Sequence, residues 1–343
     1  MRMILIVMFS CWLILQNGFA QDKILLTEKP GTFKSKYAIV NGHGADSYGK
    51  TTTYTNVEIE AAKKKLDDLV SIFRQCPVLT ANKGFDAIAE ISNGVANTKF
   101  GYGVPVFITI YFRSWSLRNG KEVQHMIEPP QFRFQVNKPE KFCSNGFNVS
   151  DNSNSSTRTN PDFSEDVTTK ATVALRELFF SPGVRKQIAH GIDRYGDFYV
   201  LYNPERPAYW VQVTIREVYR RIMDYWKSQP DIRDKETMLA VVEKQFSQYT
   251  EVEKDGFAYQ GGKDIIFKIG SEKNDYPVLI PNPEYWNRNL PRAAIQFITI
   301  EIPDDVTIKQ KLEKTRKNAD GYYYVYKLFS ELDLNSLVPI IDK

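Results

Sequence analysis

The stretch from Thr55 to Pro77, TNVEIEAAKKKLDDLVSIFRQCP, carries the local signs of one amphipathic helix. Thr55 and Glu58 stand at the S/T-x-x-E spacing of a capping box, in which each side chain satisfies the other residue's backbone N–H. Ile59, Ala62, Leu66, Leu69, Phe73 and Cys76 recur at three- and four-residue steps, which makes one apolar stripe on a helix. Lys63, Lys64, Lys65, Asp67 and Asp68 fall between them on a solvated face, and Pro77 ends the run.

Beyond Pro77 the period changes from helical to alternating. Phe85, Ala87, Ala89 and Ile91 alternate with different residues, Val104 to Trp115 reads as a longer strand, and Val123 to Ile127 and Phe132 to Val136 as shorter ones. Asn119-Gly120 between two of these runs is a hairpin turn signal. The expectation is an α+β fold whose first half lays an amphipathic helix on a mainly antiparallel sheet, with a short strand at Tyr37 to Val40.

The second half mixes helices and strands. Val167 to Phe180 fits a helix or a strand, and Asp197 to Tyr202 a strand. Thr214 and Glu217 repeat the capping-box spacing ahead of a helix from Ile215 to Trp226, with Ile215, Val218, Tyr219, Ile222 and Trp226 on one face. A helix from Asp234 to Tyr249 comes next, then strands at Asp264 to Ile269 and Ala294 to Ile302. Helices at Val306 to Lys317 and Tyr322 to Leu332 complete the chain.

Between the halves, Ser144 to Pro161 is small, polar and turn-rich. The expected organisation is a signal peptide over 1–20, an N-terminal α+β domain over 21–143, a polar linker or long surface loop over 144–162, and a C-terminal α+β domain over 163–343. The signal peptide rests on Arg2, the apolar run Met3 to Leu15, and small residues at Gly18 and Ala20 before cleavage at Gln21. The mature chain is therefore expected in the periplasm or outside the cell, without a membrane span.

Of 343 residues, 42% are hydrophobic and 25% charged, and the formal charge is only +4, so no basic footprint for nucleic acid exists. The 19 tyrosines and 21 phenylalanines favour strands and large aromatic contacts. Export leaves Cys76 and Cys143, as either a disulfide or two buried thiols. Three histidines and no CxxC offer no zinc set, and no cofactor or metal is expected. Gly44 to Thr51 meets the phosphate-loop spacing, but Thr52-Thr53-Tyr54 does not open a helix, so the stretch reads as a turn.

The residues suggest two catalytic ideas. His190 beside Asp193, with Glu217, has the types needed for a base and an orienting carboxylate. Glu205, Glu217, Glu284 and Glu301 could supply a hydrolytic carboxylate pair. The stronger binding idea lies in Asn203-Pro204-Glu205-Arg206-Pro207-Ala208-Tyr209-Trp210 and its shortened echo Asn282-Pro283-Glu284-Tyr285-Trp286, which reads as a coincidence of composition. Arg206, Tyr209, Trp210, Tyr285, Trp286 and Arg292 would hold a glycan or a peptide if their aromatic faces are exposed. The same residues would otherwise fill a core where loops meet the sheet, with the arginines capping it. The expectation is a non-catalytic binding or structural module of the cell envelope or extracellular space, the alternative being a hydrolase of an envelope or extracellular polymer.

Overall fold

The computed structural model describes residues 24–41, 51–94, 101–138, 182–228, 235–260, 267–270, 276–316 and 321–342. The expected segments 1–20 and 144–162, together with Val167 to Phe180, Cys143, and Gly44 to Lys50 of the phosphate-loop match, lie outside these residues.

Helix α1 (Asn56–Arg74) starts as its sequence dictates. Glu58 N–H donates to Thr55 Oγ1 at 3.2 Å and Thr55 N–H donates to Glu58 Oε2 at 2.7 Å, which closes the box. Ile59, Ala62, Leu66, Leu69, Val70 and Phe73 are buried, each worth about 1.5–3 kcal/mol for the larger side chains. Pro77 both ends α1 and opens the short α2 (Pro77–Ala81), where its missing N–H would be unpaired anyway.

The strands are β1 (Ile24–Leu25), β2 (Phe33–Ala38), β3 (Phe85–Asn93), β4 (Val106–Arg118), β5 (Lys121–Gln124), β6 (Gln131–Val136), β7 (Lys186–Ala189), β8 (Ile192–Tyr195) and β9 (Phe198–Tyr202). β10 (Trp210–Gln212), β11 (Ala258–Gln260), β12 (Phe267–Ile269), β13 (Leu279–Pro281) and β14 (Phe297–Glu301) come after them. Helices α3 (Ile215–Ser228), α4 (Lys235–Ser247), α5 (Glu251–Lys254), α6 (Asp305–Arg316) and α7 (Gly321–Glu331), with 3-10 helices at Pro283–Tyr285 and Leu334–Ile340, complete the described elements. The fold is α+β with a mainly antiparallel, mixed sheet.

Among the described residues, one sheet runs in the order β2-β3-β4-β6-β14-β9-β8-β7, with β1 and β5 paired to the far end of β4. β2 and β3 are parallel and the other neighbours antiparallel. The β4–β5 turn places Asn119 at φ 53° and Gly120 at φ 70°, the two positive angles of a type I′ hairpin. The expected boundary between 21–143 and 163–343 crosses a continuous sheet. β14, from the last third of the chain, pairs with β6 on one side and β9 on the other.

Strand alternation then sorts side chains to two faces. Ile192, Leu201, Ile298 and Ile300 join the main core with α1, α7 and Phe73. Tyr195, Val200, Tyr202 and Phe297 point the other way, into an aromatic core with Tyr209, Trp210, Tyr285 and Trp286. A third core gathers α3 and α4 with Phe267 and Val278. The ribbon of β10 and β13 is shared, because Val211 and Ile280 face that third core while Trp210 and Leu279 face the aromatic one.

Cys76 carries a free thiol buried in the main core. Its side chain behaves as a small hydrophobe, and burial, with Glu331 adding, pushes the thiol up to about 11. Among the described residues no helix is long and apolar enough to cross a membrane.

Candidate functional site

The proline-flanked stretch and its echo meet in space. Each asparagine turns its own chain, with Glu205 N–H donating to Asn203 Oδ1 at 3.0 Å and Glu284 N–H to Asn282 Oδ1 at 3.1 Å. They also brace each other. Asn282 Nδ2 donates to Ala208 O at 2.7 Å, and Asn203 N–H donates to the Tyr285 hydroxyl at 3.2 Å. The Tyr285 hydroxyl in turn donates to Gln296 O.

Of the two readings of these aromatics, the one in which they fill a core where loops meet the sheet holds. Tyr209, Trp210, Tyr285 and Trp286 are all buried and pack edge to face or tilted around Phe297. Edge-to-face contact puts a positive ring edge on a negative ring face, and it consumes the surfaces that a ligand would need. Arg206 is a clamp. Its Nη1 donates to Gln296 Oε1, its Nη2 donates to Asp342 O at 2.8 Å, and the guanidinium lies 5.8 Å from the Tyr285 ring centre. Arg292 serves a different junction, donating to Thr53 O at 3.2 Å and lying 4.4 Å over the Tyr54 ring.

Beside this aromatic core opens a cleft of about 580 Å³. Its walls come from Val184, Arg185, Tyr195, Tyr202, Pro204, Arg206, Pro207, Ala208, Tyr209, Trp210, Gln212, Pro277 and Leu279. Its volume falls in the ~300–1,000 Å³ span of small-molecule sites. Arg206, Tyr209 and Trp210 of the sequence candidates border it, whereas Tyr285, Trp286 and Arg292 do not.

Behind the cleft sits Asp193, whose side chain is 0% exposed. β8 alternation sends Asp193 to the same face as Tyr195, opposite Val200 on β9. Arg185 Nε donates to Asp193 Oδ2 at 2.7 Å, and the Tyr209 hydroxyl donates to the same oxygen at 2.5 Å. Because Tyr209 spends its proton on Asp193, the 3.0 Å contact between Tyr195 and Tyr209 must run with Tyr195 as donor. Arg185 Nη2 also donates to the Tyr202 hydroxyl at 3.1 Å.

These contacts set the protonation states. Burial, then the neighbouring Tyr195 and Asp193, hold the Tyr209 phenol far above its ordinary range. Burial raises Tyr202 too, with the Asp193 charge adding and Arg185 opposing. For Arg185, burial acts downward, but the hydrogen bond to Asp193 and the nearby oxygens outweigh it and hold the guanidinium charged. The site is thus a set of protonated phenols around a paired carboxylate and guanidinium.

The catalytic candidates do not assemble. The His190 side chain is 76% exposed, and its Nε2 lies 3.9 Å from Glu205 Oε1, itself on the surface. The Asp193 carboxylate is engaged by Arg185 and Tyr209 on the buried face instead. The Glu217 carboxylate accepts from Arg221 at 2.5 Å and from Arg220 at 2.8 Å, while its backbone N–H takes the Thr214 cap at 3.2 Å. Burial alone would raise Glu217, but the two arginines bring it below its ordinary value. Glu205, Glu217, Glu284 and Glu301 are all absent from the cleft walls, and Glu301 borders a second, shallower groove with Arg133 and Tyr326.

Sequence reasoning missed Arg185, Tyr195, Tyr202 and Gln212. The available signal was His190-Gly191, two turn residues between β7 and β8, with Gly191 at φ 79°. Read as a hairpin, it would have brought β7 alongside β8; in the observed register Gln187 stands opposite Asp193 and Arg185 lies two residues beyond it. Comparison with protein-family models, curated proteins and solved structures finds no match for this chain.

Proposed function

We propose that the chain is an exported, non-catalytic binding module whose ligand seat is the cleft in front of Asp193 and Arg185. The observation that carries this reading is the cleft itself, about 580 Å³ and walled by polar tips held on a buried network. Such a wall is rigid before any ligand arrives, so little ordering entropy opposes binding. The protonated phenols and the paired carboxylate supply hydrogen bonds but no activated nucleophile, and His190 stands outside on the surface. Export rests on the residue pattern of 1–20 and is part of the proposal.

Trp210 borders the cleft, so its fluorescence reports occupancy. Titration with a small-molecule and oligosaccharide library should give saturable quenching in the native chain. Ala208→Trp, which fills the cleft from an exposed wall position, should abolish it. Ligands that bind this variant as well as they bind the parent would remove the cleft as the seat. N-terminal sequencing of protein recovered from the medium or envelope should begin at Gln21; recovery of a chain beginning at Met1 would refute export by signal cleavage.

A further inference from the structure

The polar groups at the cleft wall differ from those of an anion site. Arg206 has both terminal nitrogens engaged by Gln296 and the Asp342 carbonyl. Arg185 has its Nε on Asp193 and its Nη2 on Tyr202. Each guanidinium therefore already has two of its nitrogens committed, and a carboxylate or phosphate would have to share them. The Arg185 charge is, besides, balanced by Asp193 directly behind it.

What remains is a pair of single acceptors. The Tyr202 hydroxyl accepts from Arg185 and has its own proton drawn to the Asp193 carboxylate, so it offers a ligand its remaining lone pair. Gln212 gives an amide N–H to Ala258 O at 3.2 Å, which leaves its Oε1 to accept. Between these lie the rings of Pro204, Pro207 and Pro277. Proline has no N–H, so these three positions add nothing to the backbone donor row that an extended peptide needs. They do offer rigid C–H surface.

From this pattern we infer that the cleft takes an uncharged, polyhydroxylated ligand, a neutral glycan, an inference that rests on the cleft being the ligand seat. Ligand hydroxyls can donate to Gln212 Oε1 and to the Tyr202 oxygen together. The C–H faces of a sugar ring lie against the proline rings and Leu279.

The test is an array carrying neutral oligosaccharides, acidic oligosaccharides with uronic or sulfated units, and peptides. It is probed with the full chain, Tyr202→Phe, Gln212→Ala and Ala208→Trp, each checked for folding by thermal unfolding. The expected result is binding to neutral glycans that falls about tenfold in Tyr202→Phe and in Gln212→Ala and is lost in Ala208→Trp. Should either polar variant fail to fold, Ala208→Trp carries the same readout. Binding confined to acidic glycans or peptides, but still lost in Ala208→Trp, overturns the neutral-glycan assignment and leaves the cleft as the seat. No signal in any arm, or signal indifferent to all three variants, overturns both.

Discussion

The Tyr209 hydroxyl donates a 2.5 Å hydrogen bond to Asp193, a carboxylate with no exposed surface, sixteen residues earlier in the chain. Arg185 reaches the same oxygen from the solvent side. Together they make the burial of a charge on β8 tolerable, and they hold up one wall of the cleft.

Removing the guanidinium should therefore hurt more than a surface change. Arg185→Met leaves Asp193 buried without its counter-charge. Loss of a fully buried pair costs about 3–5 kcal/mol, and about 2–3 kcal/mol is expected here because Arg185 itself is 52% exposed. Urea unfolding should show this loss, and adding Asp193→Asn should recover part of it. A single variant within about 0.5 kcal/mol of the parent would argue against the pairing.

The tyrosine chain has a direction, and it can be read by deletion. Tyr209→Phe removes a hydrogen bond to a charged group and should cost about 1.5–3 kcal/mol. Tyr195→Phe removes a neutral one and should cost about 0.5–1.5 kcal/mol. Equal losses in denaturant titrations would contradict the order Tyr195 to Tyr209 to Asp193.

Acid should weaken the α3 entry through Glu217. Its folded value lies below the ordinary 4.5 despite burial, because Arg221 and Arg220 favour the charged form. A lowered folded value stabilises above the unfolded value, and that share disappears as pH falls from about 4.5 through the folded value. Glu217→Gln should flatten stability against pH in this window, and an unchanged slope would show that other carboxylates dominate.

Cys76 should be silent toward alkylation. With its thiol pushed to about 11 by burial, and by Glu331 after it, almost no thiolate exists at pH 8. Peptide mapping after iodoacetamide should find Cys76 unmodified in native protein and labelled in urea. Native labelling would show that the main core opens around α2.

Much of the architecture is written in local chemistry. α1 was readable because Thr55 and Glu58 lie three residues apart and the stripe from Ile59 to Phe73 is periodic. The face of α3 was readable for the same reason, since Ile215, Val218, Tyr219, Ile222 and Trp226 all proved buried. At the Asn119-Gly120 turn, residue identity alone carries the geometry. The site was less visible. Arg185 and Asp193 meet across a hairpin, Arg206 reaches Asp342, and Tyr209 packs on Tyr285, pairings that no local period encodes. Aromatic content marked the right region but not which way the rings face, because burial is decided by the strands β9 and β14 beneath them.

β14 lies mid-sheet yet is made after nearly all the rest, its residues 297–301 pairing with β6 at 134–136 and β9 at 198–202. Until those five residues leave the ribosome, the facing edges of β6 and β9 have no partner between them. The nascent chain must therefore carry two open strand edges through most of its synthesis, a state prone to wrong pairing and slow to resolve. Completion of the sheet waits for β14. Such a chain is most vulnerable before β14 appears, and a holding chaperone would protect it at that stage.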